Sequence, residues 1–119
     1  MLFRSWPALQ DYFAKGDAQR GIYLLTRDTL DKSNLVHARK LTPRLEDPAT
    51  GSAAGCAAAY LARYDLMASG ATVKMEQGHW LGRPSELLVS AVKIGGQVKQ
   101  VQVGGSSVLV LEGNVHRLR

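Results

Sequence analysis

The sequence predicts an α+β domain: a mixed or antiparallel sheet curled around one central helix. Three observations carry this. No charged residue occurs from Pro48 to Ala62, and six of the ten residues from Ala53 to Ala62 are alanine, the strongest helix former. Apolar runs on both sides of that stretch have strand character. Glycine pairs at Gly95-Gly96 and Gly104-Gly105 punctuate the second half, as tight turns between strands require. An uncharged run of this length is predicted to be a helix buried on every side. It is too short and too rich in small residues to span a bilayer, which needs ~20 apolar residues.

In chain order, Pro7 suits a first helical position, and Ala8, Leu9, Tyr12 and Phe13 recur at helical spacing, so 7–15 is predicted as a short helix ended by Gly16. The apolar run 20–26 is a predicted strand. A polar turn at 28–34 follows, then a second strand at 35–40 as its hairpin partner. The central helix is predicted over 51–64. Beyond the break at Ser69-Gly70, strands are predicted at 72–76 and 86–94, with a loop at 78–84 between them. The segment 97–103 alternates polar and apolar residues, the pattern of a strand with one face in the core and one in solvent. A more apolar strand is predicted over 107–111. The total is two helices and six strands.

The chemistry is concentrated at the entrance of the central helix, Glu46-Asp47-Pro48-Ala49-Thr50-Gly51-Ser52-Ala53. The residue before proline is driven out of helical conformation, so Asp47-Pro48 sets a turn. Thr50 is placed to cap, and Gly51-Ser52 presents backbone N–H groups with little bulk in front of them. Unsatisfied N–H groups and the helix dipole attract a carboxylate or phosphate. Asp47 stands beside them as a proton or hydrogen-bond acceptor. A capped helix that binds nothing fits the same residue types.

Composition narrows the alternatives. With 119 residues the chain is read as one domain, 1–119, with enough length for a core. A single cysteine excludes an internal disulfide. The opening Met-Leu-Phe-Arg-Ser-Trp-Pro holds no long apolar segment, so no signal peptide, a cytoplasmic location and no membrane association are expected. A net charge of +5 raises nucleic acid as a partner, but the fifteen Lys and Arg residues are scattered. The densest group, Arg39, Lys40 and Arg44, precedes the helix entrance and suits one small acidic ligand better than a duplex.

Four motifs in order, Glu46 to Ala53, Glu76-Gln77-Gly78, Gly82-Arg83-Pro84-Ser85, and Val101-Gln-Val-Gly-Gly105 with the closing Val-Leu-Val-Leu-Glu-Gly113, resemble the C-terminal half of the phenazine-biosynthesis PhzF-like family. The likeness runs over about 21–113. It implies a diaminopimelate-epimerase-like fold, in which two α/β halves each wrap a sheet around a helix and the helix N-termini meet at a cleft. It implies cofactor-free isomerisation by proton movement on a small carboxylic acid, with Asp47, Thr50, Gly51 and Ser52 at the substrate. It also implies a catalytic glutamate from the N-terminal half. Gly78-His79 and Ser85-Glu86 sit inside second-half motifs and are no substitute for it.

A lone half exposes the surface that normally meets the other half, so a homodimer is expected. Without the glutamate, only Asp47 or Glu46 remains as a base. Two readings follow: a non-catalytic carboxylate-binding module, or an isomerase whose cleft is rebuilt by dimerisation. Cys56, within the alanine run, is expected as a buried small hydrophobe. His37, His79 and His116 are far apart and lack metal-ligand spacing, so neither metal nor cofactor is expected. His79 and Arg83 are candidate cleft residues, with an ordinary surface histidine and a structural ion pair as their plainer alternatives.

Overall fold

The computed structural model describes residues 6–15 and 21–116. The expected helix stop at Gly16 and strand start at Arg20 lie outside them. Helix α1 is Trp6–Lys15; strand β1, Ile22–Thr26, and strand β2, Val36–Leu41, form the expected antiparallel hairpin. A two-residue strand β3, Glu46–Asp47, leads into helix α2, Gly51–Arg63. Strands β4, Thr72–Gln77, β5, Ser85–Ile94, and β6, Gln97–Gly104, complete a mixed six-stranded sheet in the order β1-β2-β4-β5-β6, with β3 also on β2. β4 runs parallel to β2, and the crossover between them is made through α2. Parallel neighbours need such a connection.

Period-2 alternation sorts the strands onto two faces. Tyr23, Leu25, Val36 and Ala38 point to the face covered by α2, where they meet Ala54, Ala57, Ala58, Leu61, Ala62, Met75, Val89 and Ala91. Ile22, Leu24 and Leu41 point the other way and pack on Leu9 and Phe13 of α1. Ala8 and Tyr12 of α1 are exposed, because only a narrow stripe of this short helix reaches the sheet.

Two edges of this arrangement differ from expectation. α2 is buried along one side only: Ser52, Cys56, Tyr60 and Arg63 are exposed. An alanine run has no apolar period to mark its solvent side, and here one face meets no second layer. Strand β6 is exposed over nearly its whole length, including Val101 and Val103 on the α2 side. The reason is local. Gly55 brings α2 close, its position 3.4 Å from Val103 Cγ2 when a Cβ is placed on it, but Gly51 and Gly55 have no side chains to cover the valines.

The expected strand at 107–111 is absent: 105–116 has no regular structure. Val108, Leu109, Val110 and Leu111 are 83–87% exposed, and no strand among the described residues pairs with them. No helix among the described residues is long and apolar enough to cross a membrane.

Candidate functional site

The helix entrance is assembled on one edge of β2. Val36, His37 and Ala38 pair with Met75, Glu76 and Gln77 of β4, while further along the same strand Lys40 and Leu41 pair with Asp47 and Glu46 of β3. The end of β4 therefore abuts β3. Gln77, fully buried, uses this proximity: its Nε2 donates to the Asp47 carbonyl at 2.6 Å and to Thr50 Oγ1 at 3.1 Å. Its Oε1 accepts from the Tyr23 hydroxyl at 2.9 Å. Burial, with Asp47 adding to it, pushes the Tyr23 phenol up to about 12, so it stays a donor.

Gly78 completes the support. At φ +82° it occupies the left-handed region, and a Cβ there would lie 2.3 Å from the Arg83 carbonyl oxygen and 2.7 Å from that of Pro48. Only glycine lets the β4 end pass between these two turns.

Thr50 is the N-cap residue in extended conformation, but its side chain does not cap the helix. Its hydroxyl donates to Asp47 Oδ2 at 2.7 Å, and Asp47 Oδ1 accepts the Ala49 N–H at 3.3 Å. The Ala54 N–H makes the first helical bond, to the Thr50 carbonyl. No acceptor among the described residues meets the N–H groups of Gly51, Ser52 and Ala53, and Gly51 and Ser52 are exposed. Ser52, Ala53, Cys56 and Tyr60 form one wall of an open groove of about 780 Å³, with Tyr23 and Lys40 opposite. This pairing of free N–H groups with a lysine suits a small anion.

Some expected partners are elsewhere. Arg39 is committed to Glu46 through two hydrogen bonds, of 2.8 and 2.6 Å, so neither the cation nor the carboxylate is free for a ligand. Cys56 is exposed and lines the groove, contrary to the expected burial, because it falls on the open side of α2. His79 and Arg83 do not line the groove. Arg83 is exposed, without an ion pair among the described residues. His79 starts a short 3-10 turn, His79–Leu81, and its ring lies 5.7 Å from that of His37. His116 is exposed near the end of the described chain.

On the opposite face of the sheet, Glu76 is almost fully buried. It accepts hydrogen bonds from the backbone N–H groups of Leu30 (2.6 Å) and Asp31 (3.1 Å), from Asn34 Nδ2 (2.7 Å), and bonds His37 Nδ1 at 2.8 Å. Burial alone would raise its pKa; the hydrogen bonds outweigh this and bring it down to about 2. The roles of Gln77 and Glu76 are not marked by residue type alone, although both stand in the Glu76-Gln77-Gly78 motif.

The chain thus presents an α+β domain with an open groove, bordered by Lys40, beside the first turns of α2. A family model described as phenazine biosynthesis-like protein (PhzC-PhzF) matches residues 7–113, and the chain belongs to this family. It is 34% identical over 97 residues to an uncharacterized isomerase of Mesorhizobium japonicum, covering 78% of this chain and 32% of the relative. An uncharacterized isomerase of Deinococcus radiodurans is 41% identical over 86 residues, 67% of this chain and 28% of its own. The trans-2,3-dihydro-3-hydroxyanthranilate isomerase of Pseudomonas aeruginosa is 39% identical over 72 residues, 60% of this chain and 26% of its own. The chain spans about a third or less of the length of these relatives.

Proposed function

We propose that the chain is a PhzF-like half with a diaminopimelate-epimerase-like architecture, and that it binds the carboxylate of a small acid at the start of α2. The observations that carry this reading are the N–H groups of Gly51, Ser52 and Ala53, unpaired among the described residues, and the adjoining groove that Ser52, Ala53 and Lys40 line. A carboxylate seated there accepts the N–H donors at the positive helix end and faces the lysine across the groove. Ser52 adds a hydroxyl. Gln77 and Thr50 hold the Asp47 turn in place, and Tyr23, on the groove wall, anchors Gln77 through its hydroxyl.

Binding without efficient turnover is the favoured form of this function. Asp47 is the acid/base candidate, and its two oxygens are already engaged by Ala49 and Thr50. Glu46 is held by Arg39. The second reading is an active cofactor-independent isomerase, in which a homodimer sets two helix starts across one cleft. The exposed apolar residues 108–111 favour such an association. In that form, N–H groups at the helix start stabilise charge on the carboxylate as the α-proton leaves, and Asp47 receives the proton.

Proton exchange separates the two. Incubation with a panel of amino and hydroxy acids in D₂O, followed by NMR, is expected to show small carboxylates shifting the Gly51 and Ser52 amide signals without α-proton washout. Washout that disappears in Asp47→Asn selects the isomerase. Amide signals unmoved by every acid in the panel sink both readings.

A further inference from the structure

We infer that His37 and His79 form a binding site for a divalent transition-metal ion, with Glu76 as the carboxylate that orients His37. The site lies on the opposite face of the sheet from the helix entrance. Glu76 and Gln77 are consecutive residues of one strand, and consecutive side chains point to opposite faces; Gln77 supports the helix start, and Glu76 faces His37. The inference is therefore independent of the carboxylate reading.

Its foundation is an unusual set of orphaned nitrogens. His37 Nε2 and His79 Nδ1 are buried and have no hydrogen-bond partner. Buried polar atoms rarely go unpartnered. One donor atom from each of His37, Glu76 and His79 lies within 4.8 Å of the others. The parallel register that sets His37 opposite Glu76 produces this, although the residues are far apart in sequence.

The proton inventory explains why the orphans can serve as ligands. The two Glu76 oxygens already take four hydrogen bonds, three of them from donors other than His37. With its oxygens taken by three other donors, Glu76 is the acceptor toward His37, so Nδ1 carries the N–H and, in the neutral ring, Nε2 offers its lone pair. A carboxylate behind a ring N–H is the outer-shell arrangement that fixes the tautomer and raises the basicity of metal-binding histidines. With its oxygens occupied, Glu76 belongs in that outer position, and the two imidazole nitrogens are the inner ligands. Nitrogen donors of this kind select zinc, nickel or copper over calcium or magnesium.

Room for the remaining ligands adjoins the site. His37 and Trp80 line a pocket of about 460 Å³ together with Arg39 and Asp28. Arg39 on the pocket wall is neutralised by Glu46, and Asp28 is paired with Lys32 at 3.6 Å, so the charges bordering the approach are balanced. His37 lines this pocket and His79 does not, so the remaining ligand positions are open to water from the His37 side.

Trp80 provides the readout, since its ring lies 6.4 Å from that of His37. In the full chain carrying Trp6→Phe, Trp80 is the one remaining tryptophan. Nickel or copper is expected to quench its fluorescence saturably, with reversal by a chelator, and calorimetry with zinc is expected to give one site per chain. His79→Ala should weaken zinc at least about tenfold, with the metal-free melting curve little changed because the buried His79 Nδ1 makes no hydrogen bond for the substitution to break. His37→Gln retains a donor for Glu76 and should also lose the metal. His116→Ala should bind as the parent does. Absence of saturable zinc binding into the millimolar range overturns the inference, as does undiminished zinc affinity in folded His79→Ala.

Discussion

Glu76 is 1% exposed and nevertheless ionised, because its donors replace the water that burial removes. The 28–34 turn depends on it: Leu30, Asp31 and Asn34 all bond its carboxylate from the far end of a hairpin. The consequence for stability has a definite sign. Its folded pKa, about 2, lies below the ordinary value of 4.5, so the unfolded chain takes up the proton first. The contribution is complete above that ordinary value and is lost as pH falls through the folded one. In metal-free buffer, urea unfolding is expected to show stability declining between pH 4.5 and 2. Glu76→Gln should remove this part of the slope and cost about 3 kcal/mol at neutral pH, since the substitution leaves buried donors facing an amide. An unchanged acid slope in the variant would assign the effect to another carboxylate. The Glu-Gln-Gly motif was readable in the sequence, but its division of labour was not. Which neighbour faces which side depends on the β2–β4 register, a contact between distant segments.

At the scale of elements, both helices, the first hairpin and the β5–β6 hairpin were legible, because helix propensity and glycine turns are local signals. Gly95 and Gly96 both adopt positive φ, 57° and 78°, as the tight turn demands. What local signals could not give was the partner of each surface. Alanine is compatible with core and solvent alike, so the open side of α2 had no sequence mark, and the apolar run at 107–111 resembles a strand whether or not a neighbour exists. The amphipathic α2 makes a sharp prediction. Cys56 in the native protein should react with a thiol reagent at nearly the rate seen in urea, whereas Ala58, fully buried against the sheet, should not tolerate enlargement. Ala58→Leu is expected to lower stability by about 1–3 kcal/mol through overpacking. Thiol labelling that requires global unfolding would place the Cys56 face inside the protein and close the groove beside Ser52.

For the whole molecule, the question is what covers the apolar surface at one end. Among the described residues β6 is an edge strand, Val101 and Val103 are 39% and 40% exposed beneath the glycine-rich start of α2, and the exposed apolar residues 108–111 come soon after β6 in the chain. Unpaired edges and contiguous apolar surface favour association, and a second copy satisfies both through a two-fold interface. Light scattering is therefore expected to give a dimer at micromolar concentrations, with a melting temperature that rises with protein concentration. The double variant Leu109→Asp, Leu111→Asp should be a monomer. Because both side chains are more than four-fifths exposed within one copy, the variant's own unfolding free energy should match that of the dissociated parent to within about 0.5 kcal/mol. That equality is the decisive part: the substitutions act on association alone if the segment touches nothing in its own chain. A variant monomer less stable than the dissociated parent would mean that 108–111 packs on its own sheet, leaving no apolar segment to join two copies and no rebuilt cleft for the isomerase reading.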